Sequence, residues 1–244
     1  MIKILSYILS FIFYILFLLL LVIFHPIQVI CHKLFGYQAH KNSVDVLNFF
    51  LMRVVVFLGV RITSLPKVNL PTDRPLIIVS NHQGVYDIPP IVWIFRKHHP
   101  KFISKKELAK NIPSVSYNLR HSGAALIDRK NRAQAIPEIY KLGQLIAKNN
   151  YAASIFPEGT RSKTGVMKPF KAGGIEALLQ AAPNALIVPF VVDGNYKIEE
   201  KGMFPLCLGA KVRYKVLEPI EPAAYTAIEL TEMVEALIKK ELNQ

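Results

Sequence analysis

His82 and Asp87 are the residues of this chain whose types and spacing most directly suggest catalysis; they bracket the loop half of Asn81-His-Gln-Gly-Val-Tyr-Asp87. An imidazole works as a general base near neutral pH when a partner orients it, and a carboxylate also stabilises the imidazolium that forms. A turn of this length, containing Gly84, can fold the carboxylate back onto the ring. Spacing alone is equally satisfied by a helix-capping Asp and an ordinary loop His. What precedes the pair adds weight. Leu76-Ile-Ile-Val79 is a short apolar run of the kind buried on both faces of a sheet, and α/β folds bind ligands beyond the carboxyl ends of such strands.

The elements that must position the pair alternate along the chain. Further strands are expected at Phe102-Ile103, Ala124–Ile127, Ala152–Phe156, Leu186–Val192 and Val212–Leu217. Helices are expected at Ser114–His121, Arg132–Lys148, Ala172–Ala182 and Ile228–Leu242, and one starts at Asp87-Ile-Pro-Pro90, where an acidic cap precedes first-turn prolines. This order implies an α/β fold, a largely parallel central sheet flanked by helices. In front of it lies an N-terminal helical segment, embedded in a membrane or lying at its interface. The expected division is residues 1–62 as membrane anchor and 63–244 as the α/β domain.

The anchor is read from Ile4 to Phe24, 21 consecutive positions without a formal charge. As a helix they extend about 31 Å, close to the hydrocarbon thickness of a bilayer. A cleaved signal peptide fits poorly, because the apolar run is too long and His25, Pro26 and Ile27 offer no small-residue cleavage site. A second apolar stretch, Val44 to Val60, is interrupted by Asp45, Asn48 and Arg53, which share one helical face. It reads as an amphipathic helix, at the interface or against the first segment, with a core-facing helix as the alternative. Lys33 and Lys41 after the first segment, against Lys3 before it, favour a cytoplasmic globular part.

Net charge is +13, and between Lys101 and Lys171 fourteen Lys and Arg stand against four acids. Such a surplus implies an anionic partner, and the membrane segment turns the choice from nucleic acid toward phosphate-bearing lipid. Cys31 and Cys207 form neither a metal motif nor a disulfide framework. Gly-x-Ser-x-Gly, a Walker loop, Gly-x-Gly-x-x-Gly and His-Glu-x-x-His are all absent. His98-His99 has no cluster around it and reads as a surface pair.

Three further segments fall at strand ends: Gly123-Ala-Ala-Leu-Ile-Asp-Arg129, Phe156-Pro-Glu-Gly-Thr-Arg161 and Ile187-Val-Pro-Phe190. With Asn81–Asp87, in this order, they resemble the glycerolipid acyltransferases, specifically the 1-acylglycerol-3-phosphate acyltransferases. The Phe156–Arg161 run is the most specific of the four, and the resemblance covers roughly residues 75 to 192. It implies transfer of a fatty acyl group from acyl-CoA or acyl-carrier protein to the 2-hydroxyl of a lysophosphatidate. His82 would be the base and Asp87 its orienter. Glu158, Gly159, Thr160 and Arg161 match the run associated with binding the glycerol phosphate, with Arg129 closing another block and Lys105 a further phosphate ligand. Guanidinium groups suit that task because they offer fixed, bidentate, permanently charged donors. Glu158 could instead be a structural partner for a nearby Arg, and Lys105 a solvated lysine.

No metal and no cofactor is implied; the acyl thioester is a co-substrate. The expected partners are lysophospholipid, acyl thioester, the bilayer and acyl-carrier protein, and the expected place is a membrane, in a bacterium the inner one, with the catalytic part facing the cytoplasm. The family often carries Ser where this chain has Gly84, and a smaller aliphatic where Phe190 follows Pro189. Those departures leave open a sibling enzyme acting on lyso-ornithine lipid or glycerol 3-phosphate. A membrane esterase, or a catalytically silent membrane-binding protein of the same fold, are the readings from other classes.

Overall fold

The computed structural model describes residues 2–244, with side chains from residue 3. Helix α1 (Ile2–Val54) is two arms broken at Gly36, whose backbone (φ 77°, ψ −166°) is not helical. The arms fold back on each other, Leu21 packing with Leu47 and Leu51, and Phe24 lying 6.2 Å from Phe50. The return arm, residues 37–54, takes the packed one of its expected arrangements, against the outward arm. Its Asp45 and Asn48 are buried, Asp45 paired with Lys41 and Asn48 bonded to the Val44 carbonyl, while Val46 and Phe50 are exposed. Arg53 alone stays out, over the Phe49 ring.

Beyond the hairpin, seven strands form one sheet: β1 (Arg61–Ser64), β2 (Leu76–Ser80), β3 (Lys101–Lys105), β4 (Ala125–Ile127), β5 (Ala152–Ile155), β6 (Leu186–Asp193) and β7 (Lys211–Val216). Their order is β1-β7-β6-β2-β5-β3-β4, and every neighbouring pair is parallel except β6 with β7. The fold is thus α/β with a largely parallel sheet. Strand β1 has no counterpart in the sequence reading, because Ile62 is the one apolar residue of Arg61-Ile-Thr-Ser64 and none of the four is fully buried.

Strand pleat sorts the core into two layers. Leu76 and Ile78 of β2, with Val188, Phe190 and Val192 of β6, face the hairpin and α2 (Ile88–Ile94). Ile77, Val79, Ile187 and Val191 face the opposite layer of α4 (Arg132–Asn149), α5 (Gly173–Ala181) and α6 (Ala227–Leu242). Because β2 is central and buried at all five positions, its carboxyl end is a fixed platform. Helix α3 (Val115–His121) lies against the hairpin, with the His32 ring nitrogen Nδ1 2.9 Å from the Tyr117 hydroxyl.

The hairpin is bound to the domain along its length. Leu206 N–H donates to Ser10 Oγ at 2.8 Å, the Tyr14 hydroxyl donates to the Met203 carbonyl, and Ser114 Oγ donates to the Leu21 carbonyl at 2.6 Å. Phe13 is fully buried against Tyr86. The other face of the outward arm is bare: Ile4, Ile8, Phe11, Ile15, Leu18 and Val22, spaced by three and four, are all about half exposed or more.

The His98-His99 pair is not at the surface as expected. His98 is buried with Nε2 3.3 Å from the Leu70 carbonyl, and His99 stacks on Tyr151 at 4.5 Å. The His99 ring lies in the seam between the β3 entry and the hairpin tip, its Nδ1 2.9 Å from the Tyr37 hydroxyl, to which Lys101 donates. Burial, and then the charge of Lys41, push the Lys101 ammonium down to about 8.

Candidate functional site

The end of β2 is tied into place before any side-chain chemistry begins. The Asn81 side chain donates to the Val192 carbonyl (2.8 Å) and accepts from the Val192 N–H (2.9 Å), replacing the backbone ladder where β2 ends. The next residue, His82, is gripped on both main-chain sides: its N–H donates to Glu158 Oε1 at 2.7 Å, and its carbonyl accepts from Ser162 N–H at 2.7 Å. Its ring lies 4.1 Å from Phe156, inclined by 19°. A short turn, residues 85–87, then brings the Asp87 carboxylate back to the ring as spacing suggested.

Asp87 is fully buried, and its Oδ2 accepts from His82 Nδ1 at 2.8 Å, Gln83 N–H at 2.7 Å and Gly84 N–H at 3.0 Å. Since an ionised carboxylate can only accept, Nδ1 carries a proton and Nε2 of neutral His82 is the basic nitrogen. Gly84 has extended backbone, and a Cβ there would meet nothing closer than 3.8 Å, so the missing serine reflects no steric demand.

The structure separates the remaining expected residues. Glu158 is buried and has both oxygens taken by backbone donors, His82 N–H and Lys168 N–H (3.0 Å), so it braces the loops rather than pairing with an Arg. Burial pushes its carboxyl up, and those two donors oppose the shift. Gly159 sits at φ 74°, a left-handed backbone that glycine adopts without penalty, and its carbonyl accepts from Arg129 at 2.7 Å. Thr160 Oγ1 accepts from Lys168 Nζ at 2.7 Å. Arg161 is partly exposed with Nη1 3.5 Å from Glu199, and its positive charge is felt by Arg129. Lys105, exposed at the last position of β3, registers with Ile127, two residues before Arg129. Arginines and lysines from three strand ends thus rim the side of the site beyond β5.

Four residues that the sequence reading did not place in the site lie around it. Gly194 follows β6 at φ 88°, and a Cβ there would lie 2.1 Å from the Lys211 carbonyl oxygen. That tight turn delivers Asn195, whose amide donates to Asp87 Oδ1 at 2.7 Å and whose oxygen accepts from the Tyr214 hydroxyl at 3.0 Å. Asn195 stands just past an expected strand, so the rule that strand ends carry sites could have found it. Tyr214 could not be found that way, because only the antiparallel pairing of β7 brings it there. Glu199, which faces Arg161, keeps Oε1 buried without a hydrogen-bond partner among the described residues. Burial pushes its carboxyl up, opposed by the Arg161 charge and reinforced by Asp87. Phe190 points away from the site, into the core between Phe95 and Tyr214.

A held His–Asp pair at a strand end, with a cationic rim and an apolar hairpin beside it, defines an α/β enzyme acting at a lipid surface. A family profile described as Acyltransferase matches residues 61–193, more than half the chain, and the protein belongs to that family. Among curated relatives, the human 1-acyl-sn-glycerol-3-phosphate acyltransferase beta is 26% identical over 208 residues, covering 85% of this chain and 73% of that protein. The 1-acyl-sn-glycerol-3-phosphate acyltransferase of Saccharomyces cerevisiae is 28% identical, covering 85% and 67%, and that of Cocos nucifera 31%, covering 66% and 51%. The crystal structure of the 1-acyl-sn-glycerophosphate (LPA) acyltransferase PlsC from Thermotoga maritima superposes with a TM-score of 0.82, at 26% identity, over 100% of this chain and 97% of that one.

Proposed function

We propose that this protein acylates the 2-hydroxyl of lysophosphatidate to give phosphatidate, and that His82 is the base. The observation that carries the chemistry is the 2.8 Å contact between His82 Nδ1 and a fully buried Asp87, which leaves Nε2 for the acceptor. Nε2 takes the proton from the 2-hydroxyl as the oxygen attacks the thioester carbonyl. The tetrahedral oxyanion collapses, the C–S bond breaks, and the imidazolium returns the proton to the departing thiolate. The acceptor is itself the nucleophile, so no acyl-enzyme intermediate is required. Arg161, Arg129 and Lys105 supply the charge for the acceptor phosphate, with Gly159 and Thr160 shaping the loop that carries Arg161 and Glu158 bracing it.

The donor is an acyl thioester of CoA or of acyl-carrier protein, and the basic rim suits the phosphates of either. We further propose that the outward arm of α1 lies in one leaflet rather than crossing the bilayer. Its hydrogen bonds to the domain at Ser10, Tyr14 and Leu21 keep its middle beside the sheet, and its bare apolar stripe is what an interfacial helix buries. The Lys33 and Lys41 bias favours the cytoplasmic leaflet, in a bacterium that of the inner membrane.

Purified full-length protein in detergent, given labelled acyl-CoA and a panel of lysophosphatidate, glycerol 3-phosphate and lyso-ornithine lipid, tests the assignment. Labelled phosphatidate is expected. Product on another acceptor only, or free fatty acid only, would replace it with a sibling transferase or an esterase. His82→Ala is expected to remove turnover while the protein stays folded and membrane-bound, and near-normal activity in that variant would overturn the role of the base.

A further inference from the structure

The two oxygens of Asp87 are served unequally. Oδ2 receives three donors from its own loop, residues 82–84, whereas the protein donor to Oδ1 comes from a distant part of the chain, Asn195. A fully buried carboxylate oxygen without its donor is costly, and the carboxylate can relieve that cost by turning away from His82.

Every direction in this chain of bonds is determined. Asp87 accepts, so the amide of Asn195 must present its nitrogen to Oδ1 and its oxygen to Tyr214. The Tyr214 phenol must then donate. It can, because burial and then the nearby Asp87 charge raise it far above the pH range of the reaction. Tyr214 in turn is immobilised: it is buried, parallel to the Phe190 ring, and paired in register with Val192. Gly194 supplies the turn that no Cβ would allow, placing Asn195 under Asp87.

We propose that Asn195, oriented by Tyr214, is a positioning residue for catalysis that holds the Asp87 carboxylate against His82 and so keeps the ring in the Nδ1–H form with Nε2 toward the acceptor. The inference rests on His82 acting as the base. It also assigns a use to the Phe190 departure, since the larger ring is what Tyr214 lies against.

Full-length protein in detergent, assayed with acyl-CoA and lysophosphatidate, provides the test. Asn195→Ala is expected to lower kcat by about 10- to 100-fold, the scale of one hydrogen bond to a charged group, with the acceptor KM changed by less than about twofold. Tyr214→Phe is expected to cost roughly 2- to 10-fold in kcat by the same route.

Asn195→Asp separates positioning from simple loss of structure. The introduced carboxyl can donate to Asp87 while protonated and repels it once ionised, so this variant loses activity as pH rises across a range where the parent does not. If Asn195→Ala fails to fold, the Tyr214→Phe rate and the Asn195→Asp profile decide the matter. Unchanged kcat in Tyr214→Phe and Asn195→Ala, or an Asn195→Asp profile parallel to the parent's, with His82→Ala inactive, overturns the positioning role alone. Activity retained by His82→Ala would show instead that the base was misassigned.

Discussion

Substituting Glu158 distinguishes a substrate-binding residue from a brace, the two roles open to the acid of Phe156-Pro-Glu-Gly-Thr-Arg161. In the structure its oxygens accept from the His82 and Lys168 main chains at 2.7 and 3.0 Å, and the residue is buried. Glu158→Gln keeps one acceptor and aims an amide N–H at a backbone N–H. One charge-assisted bond is lost, about 1.5–3 kcal/mol, and relief of the burial that pushes the carboxyl up offsets part of it. A net cost of about 1–3 kcal/mol lowers Tm by roughly 2–10 °C in a protein of this size. Because one of the two bonds fixes the His82 main chain, kcat falls too, by up to about 100-fold for a misplacement near 1 Å. Thermal unfolding in detergent, with kcat and KM measured over an acceptor series, gives all three numbers. A raised acceptor KM with Tm and kcat unchanged would refute the brace and return Glu158 to the substrate.

Arg161→Ala should show the converse pattern. Its guanidinium is partly exposed and faces Glu199 at 3.5 Å, so the acceptor KM rises about tenfold or more while Tm is nearly unchanged; an unaltered KM would remove Arg161 from the phosphate site. Lys101→Met tests the seam between hairpin and sheet. The ammonium titrates near 8 when folded against the usual 10.5, so between those values the unfolded chain binds more protons and stability rises with pH. Below pH 8 the folded protein carries the whole penalty, about 3 kcal/mol at most, less what the Tyr37 bond returns. The Tm of Lys101→Met relative to the parent should therefore be highest below pH 8 and decline toward pH 10.5. A pH-independent difference would show that Lys101 is not held at a depressed value.

What the sequence discloses about this site follows from how local each relation is. His82 and Asp87 lie within one turn, so residue type and spacing allow their meeting without requiring it, and the apolar run before them together with the Phe156–Arg161 run tips the choice. Arg129, Gly159 and Arg161 were legible as a motif, though their contacts were not: the Arg129 bond to the Gly159 carbonyl joins segments 30 residues apart. Glu158 shows the limit most clearly, because its chemistry suits a cation and the fold supplies backbone N–H groups instead. The hairpin shows the same limit. Asp45, Asn48 and Arg53 on one helical face left open which way that face turns; in the fold Lys41 and the Val44 carbonyl satisfy Asp45 and Asn48 inside, and the lipid-suited side chains are left outside.

Asn195 and Tyr214 mark the remaining distance between motif and mechanism. Their bonds to one another and to Asp87 span 19 and 108 positions, and they exist because β7 runs antiparallel to β6 in an otherwise parallel sheet. The antiparallel pairing sets Tyr214 beside Val192, three residues before Asn195, at the sheet end where β2 delivers His82. A parallel β7 in the same place would reverse that strand and take its side chains out of this register. The one reversed strand pairing is therefore part of the site: it closes the far side of Asp87, which the His82–Asp87 turn leaves with an open oxygen.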